Sequence, residues 1–122
     1  MKTIIAGPRW ICDFQLIKIA IHESNFDITE VVTGDAKGVD WLGAYWGYLN
    51  NLPVKHFPAK WEFYGTAAGP IRNKLMADYA DALIAVWDEI SRGTNNMINT
   101  ARKLELQIYI KYVNTKPKKN IL

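Results

Sequence analysis

The sequence predicts an α/β fold, a Rossmann-like three-layer sandwich around a mostly parallel five-stranded sheet. Three observations carry this. Short apolar runs alternate with segments whose apolar residues recur at helical spacing, the pattern of strand–helix–strand units with right-handed crossovers. The clearest run, DALIAVWD over 81–88, is apolar almost throughout, as in a parallel sheet covered on both faces. The 122 residues, 49% of them hydrophobic, suit one domain with a real core.

Residues 2–7 (KTIIAG) read as the first strand, ending at Gly7 and Pro8. Over 10–24, Ile11, Phe14, Ile17 and Ile21 form one helical stripe. Residues 28–34 (ITEVVTG) are a second short strand and 39–51 a helix. Residues 53–58 (PVKHFP) make a third strand with proline at both ends. A long loop leads to a helix over 70–79, with Pro70 at its first position, where a missing N–H costs nothing. The fourth strand (81–88), a helix over 94–103 and a fifth strand, LQIYIKYV over 106–113, complete the alternation. The domain is expected over 1–114, with 115–122 as a basic flexible tail.

Fifteen Lys and Arg oppose twelve Asp and Glu, but Lys116, Lys118 and Lys119 lie in the tail, so the body carries twelve of each sign. Three clustered lysines are a weak footprint for nucleic acid, which is not the expected partner. No apolar run is long enough to span a bilayer and no leader is expected before the first strand, so no membrane partner is expected and the expected location is cytoplasmic, or host-cytoplasmic for a viral protein. Cys12 has no partner for a disulfide or a zinc site, and His22 and His56 are too far apart in sequence to indicate a metal. No metal or cofactor is expected.

In such a sheet the ligand edge lies at the carboxyl ends of the strands. Four strand-to-helix loops fall there, and each offers glycine and a cation. They are Gly7 with Arg9; Gly34 and Gly38 with Lys37; Gly69 with Arg72; and Gly93 with Arg92. Glycine lets the backbone approach a ligand, helix N-termini present free N–H groups, and guanidinium forks match phosphate oxygens. The placement of Arg72 and Asn73 in the first turn of a helix is itself unusual, since the macrodipole there favours an acid. A ligand anion explains it.

Around these loops, Thr33 offers a hydroxyl and Asn73 both a donor and an acceptor. Asp40, in the first turn of its helix, is either a dipole or capping residue or an acceptor for ribose hydroxyls or a catalytic acid. Ser91, Gly93 and Thr94 open the last helix. Asp88 and Glu89 close the fourth strand and are candidate catalytic carboxylates, with Arg72 the candidate phosphate ligand beside them. Trp10, Trp61, Phe63, Tyr64 and Trp87 stand near the same mouth, where rings either stack on a base or pack as lid and core.

Residues 7–113 resemble the SLOG superfamily, a Rossmann-like group named for the Smf/DprA and LOG proteins, and within it the branch related to YspA and cpYpsA. Four motifs in order carry the resemblance. They are Gly7 and Arg9; Gly34, Ala36, Gly38 and Asp40; Ala59, Trp61, Gly65, Ala68, Gly69, Arg72 and Asn73; and Trp87, Asp88, Ser91, Gly93, Thr94 and Met97. The resemblance implies a nucleotide-derived ligand at the loop edge, such as the NAD-derived signals sensed in conflict between bacteria and phages. LOG-type members cleave the N-glycosidic bond of nucleoside 5′-monophosphates with an Arg, which Arg72 matches, and a Glu after a glycine–threonine loop. Here Asn95, Asn96 and Met97 follow Thr94, and an amide cannot take up a proton as a carboxylate does. The expected function is therefore binding of a phosphorylated nucleoside or nucleotide-derived signal, as a sensor or sequestering protein. A nucleotide-processing hydrolase and a single-stranded nucleic-acid binder are the alternatives.

Helix 39–51 is apolar nearly all round. Trp41, Tyr45 and Tyr48 form one stripe, Leu42, Trp46 and Leu49 another, and Gly43 and Gly47 leave a shallow groove. The expected partner for this surface is a second copy of the chain, in a homodimer or larger assembly.

Overall fold

The structure, a computed structural model, describes residues 1–115. The tail expected over 115–122 lies, from residue 116 on, outside the described residues. Five strands, β1 (Lys2–Ala6), β2 (Glu30–Thr33), β3 (Val54–His56), β4 (Ala82–Trp87) and β5 (Gln107–Tyr112), form one sheet in the order β3-β2-β1-β4-β5. Every pairing is parallel, so the sheet is wholly rather than mostly parallel. The helices are α1 (Phe14–Ser24), α2 (Val39–Leu49), a single turn α3 (Trp61–Tyr64), α4 (Ala68–Tyr79) and α5 (Arg92–Lys103).

Period-two alternation within the apolar strands makes the three layers. Ile4, Ala6, Leu83 and Ala85 point to one face, where Met76 and Ala77 of α4 and Met97, Ile98 and Ala101 of α5 cover them. Ile5, Ile84 and Val86 point to the other, against Ile17, Ala20 and Ile21 of α1 and Val39 and Leu42 of α2. In the strands covered on both sides the buried residues are apolar apart from Thr3 and Thr33, which have hydrogen-bond partners.

Several boundaries differ from the sequence expectation, each for a local reason. The first helix starts at Phe14, not residue 10, because Asp13 Oδ1 accepts the Gln15 N–H at 3.0 Å and caps it. Residues 10–13 instead form a loop that still buries Ile11. The fourth helix begins at Ala68, and a 3₁₀ turn over Gly65–Ala67 runs directly into it. Pro70 is thus its third residue, and Arg72 its fifth rather than a first-turn residue. Long helical side chains lean toward the N-terminus, so the Arg72 guanidinium still reaches that end.

The glycines of α2 do not form a groove for a partner. A Cβ at Gly43 would sit 2.7 Å from Ile5, and one at Gly47 would sit 2.9 Å from Val31 and Val54, so both glycines let α2 press onto the sheet. The outward stripe stays exposed: Trp41 stacks on Tyr45, and Tyr48 bonds His56 Nε2 at 2.6 Å while His56 Nδ1 meets Asp35 at 2.6 Å.

Candidate functional site

The strand order reverses between β1 and β4, and crossovers leaving in opposite directions open a crevice at their carboxyl ends. A cavity of about 700 Å³ occupies it. Gly7, Arg9 and Trp10 after β1 form one wall, Asp40 of α2 the floor, Trp61, Gly69, Arg72 and Asn73 of α3 and α4 a second wall, and Ser91, Arg92, Gly93 and Thr94 of α5 the third. A recess of about 230 Å³ adjoins it, sharing Arg9, Trp61 and Arg72 and adding Gly34 and Lys37. Lys37 and Gly38 line a further recess of about 360 Å³ beside Trp41.

The main cavity carries three arginines against one carboxylate. Among the described residues none of the three is in an ion pair. Burial pulls the Arg72 guanidinium below its ordinary pKa; Asp40 opposes that shift and the like charge of Arg9 adds to it. The helix ends reinforce the field. Of the four long helices only α1 has a side-chain cap, while α2, α4 and α5 start without one. Ser91, in the capping position of α5, donates its hydroxyl to Asp88 Oδ2 at 2.8 Å instead. At α5 the first-turn N–H groups with the positive end of the dipole suit an anion, whereas at α4 the Ala68 N–H donates to Gly65 O and Pro70 has none, and at α2 the Val39 N–H donates to Pro8 O.

Arg72 is held in place from behind. Its Nη1 donates to the Gly34 carbonyl and its Nε to Asn73 Oδ1 at 3.0 Å. Gly34 is required here by space. A Cβ on it would fall 2.8 Å from both the Arg72 guanidinium carbon and Asp40 Oδ2. The cation and the acid therefore face each other across the bare glycine without forming an ion pair. Burial drives the Asp40 carboxyl up to about 6, against the pull of Arg72 and of backbone N–H groups at Ala36 and Gly7. Gly38, with φ of 77°, takes a conformation that disfavours any side chain and lets Pro8 and Arg9 lie on the start of α2.

Two residues expected as ligand groups have polar atoms engaged within the fold, and Asn73 also lines the cavity. Asn73 is buried, and its amide donates to Asn96 Oδ1 at 2.9 Å and Gly93 O at 3.4 Å, so it ties α4 to α5 and orients Arg72. Thr33 is buried; its hydroxyl donates to Asp40 O at 3.1 Å and accepts the Asp35 N–H at 3.2 Å.

The two carboxylates expected to act as acid or base are not at the cavity. Asp88 is buried and accepts from Trp10 Nε1 at 3.0 Å, from the Ser91 hydroxyl and N–H at 2.8 Å each, and from the Ile90 N–H at 3.1 Å. Burial by itself would raise its pKa, but these bonds outweigh it and hold the carboxyl at about 2. An acid that stays ionised with its oxygens occupied cannot donate a proton at neutral pH, so Asp88 positions Trp10 and Ser91. Glu89 is exposed, at φ of 67° in the turn, and does not line the cavity.

Of the aromatics, Trp10 and Trp61 line the cavity, Trp61 half exposed along one wall. Trp87 does not. Its ring packs toward Tyr112 on the α4–α5 side of the sheet. Phe63 and Tyr64 face solvent. Thr66, Asn96 and Met97, none of them assigned to the ligand from the sequence although Met97 belongs to the fourth motif, also line the cavity. Asn96 and Met97 fall three and four residues after Gly93, and helical spacing alone places them on its face. Thr66 sits in the single 3₁₀ turn Gly65–Ala67, too short for a period to show in the sequence.

No protein-family model and no curated protein matches the sequence. Among solved structures, DNA processing protein A (DprA) from Streptococcus pneumoniae is similar in fold, with a TM-score of 0.67 and 16% identity over 89% of this chain. The chain spans 49%, about half, of that protein's length. The likeness shows a shared Rossmann-like fold.

Proposed function

We propose that the chain binds a phosphorylated nucleoside or a nucleotide-derived signal molecule in the cavity at the carboxyl edge of the sheet, as a sensor or sequestering protein. The observation that carries this is the convergence of Arg9, Arg72 and Arg92, none of them ion-paired among the described residues, on one cavity with the uncapped start of α5. The volume lies within the range of about 300–1,000 Å³ usual for small-ligand sites. Phosphate sits against Arg9 and Arg72, and the Trp61 ring offers a face on which a base can stack. The resemblance to the SLOG superfamily, and the DprA-like fold, support the same reading.

A hydrolase working in this cavity would need a carboxylate there, and among the described residues Asp40 is the one that lines it. DprA is a DNA-processing protein, so a short single-stranded oligonucleotide belongs among the ligands tested.

The test is one incubation with nucleoside monophosphates, NAD, ADP-ribose, cyclic nucleotides and that oligonucleotide, followed by filtration and chromatography. A small nucleotide that leaves the filtrate and returns unchanged on heating is the expected result. A new product peak replaces binding with catalysis, and oligonucleotide retention alone replaces it with nucleic-acid binding. A panel left wholly in the filtrate removes the nucleotide reading.

A further inference from the structure

We infer that Asp40 makes this anion site selective for a phosphate group that brings its own proton, by sharing that proton with the ligand. The inference rests on the reading of the cavity as a phosphate site and narrows its ligands to those with a terminal phosphate monoester, since the diester and pyrophosphate oxygens of cyclic nucleotides, NAD and ADP-ribose carry no proton at neutral pH.

Asp40 is only 5% exposed, yet it lines the cavity, and it does so beside Arg72 rather than paired with it. Both flank the space a Gly34 side chain would fill. The charged groups that bear on Asp40 are Arg72 from α4, which attracts, and Asp35 from the loop before α2, which repels; Arg9 and Arg92 line the same cavity. An oxyanion that meets the Arg72 fork from the cavity lies next to the Asp40 carboxyl. Two negative oxygens in a desolvated site repel unless a proton lies between them, the logic of two carboxylates that share one proton.

Hydrogen phosphate carries that proton into the site. Its O–H donates to the ionised Asp40 oxygen while its other oxygens accept from the guanidinium groups. Sulfate carries none. It binds well only when Asp40 is already protonated, and burial sets that carboxyl at about 6. Above that pH, sulfate affinity falls roughly tenfold per pH unit, because Asp40 must first take up a proton from solvent. Below it the free site already holds the proton, and the two anions compete on nearly equal terms.

The experiment is titration calorimetry of the full chain with sodium phosphate and with sodium sulfate at about pH 7.5 and about pH 5, at constant ionic strength. Phosphate is expected to bind at least tenfold more tightly at the higher pH and within about threefold of sulfate at the lower. Asp40→Asn is expected to bring sulfate level with phosphate at the higher pH. Equal affinities in the wild type at pH 7.5, both weakened by Arg72→Ala, overturn the role of Asp40 and leave the anion site standing. Binding of neither anion at either pH overturns both. Should Asp40→Asn fail to fold, the wild-type comparison still decides, since a preference that does not change with pH overturns the shared proton.

Discussion

Replacing Asp40 by Asn should change the pH dependence of stability in a direction set chiefly by burial. The Asp40 carboxyl titrates at about 6 in the folded chain, against a reference value of 3.8. Between those values the folded chain holds a proton that the unfolded chain has lost, so stability falls as pH rises through this window. The gap corresponds to about 3 kcal/mol, fully expressed above pH 7 and absent below pH 3.8. Asn has no such titration and fills nearly the same volume. Urea unfolding of both chains at pH 4 and pH 7 measures the effect as a double difference, which removes every other titrating group common to the two. The variant is expected to gain roughly 2–3 kcal/mol relative to the wild type between the two pH values. A double difference within about 0.5 kcal/mol of zero, or one of opposite sign, refutes the claim that the cavity floor holds a desolvated acid.

Three further outcomes follow from the site and the surface. Arg72→Ala removes a charge-assisted donor held by Gly34 O and Asn73 Oδ1, so phosphate binding measured by calorimetry should weaken by roughly 1.5–3 kcal/mol; an affinity unchanged within twofold removes Arg72 from the site. Asp88→Asn takes the charge from a carboxylate that accepts four hydrogen bonds, and the expected loss is about 1.5–3 kcal/mol of stability at pH 7 in urea unfolding. That loss should shrink as pH falls through about 2 to 4, where the wild-type carboxyl itself is protonated; a stable variant means Asp88 does not brace Trp10 and Ser91. Trp41, Tyr45, Tyr48 and Leu49 leave an aromatic face on α2 exposed, and we propose that a second copy of the chain covers it; light scattering is expected to give a mass above 13.9 kDa at micromolar concentration, reverting toward that mass in Trp41→Lys.

The sequence determined the layers of this protein and the loops that meet at one edge. Strands buried on both faces of a parallel sheet are mostly apolar, so DALIAVWD marks β4 by composition, and alternating periods mark the helices between strands. Glycine with a cation in four successive βα loops is also a local signal, and the topology carries Arg9, Arg72 and Arg92 to one cavity and Lys37 to the recesses beside it. The roles of the acids were decided only by the tertiary structure, because a carboxyl's character depends on its burial and on what donates to it. Asp88 and Glu89, adjacent in sequence at the end of a strand, look like chemistry, yet folding saturates one with hydrogen bonds and turns the other to solvent. Asp40 looks like a dipole residue, yet folding sinks it into the cavity opposite Arg72. Gly43 and Gly47 likewise read as a groove for a partner until packing shows them pressed on Ile5, Val31 and Val54. Periodicity identifies which side chains share a face, but desolvation and hydrogen bonding arise between elements distant in sequence, and only the assembled fold fixes them.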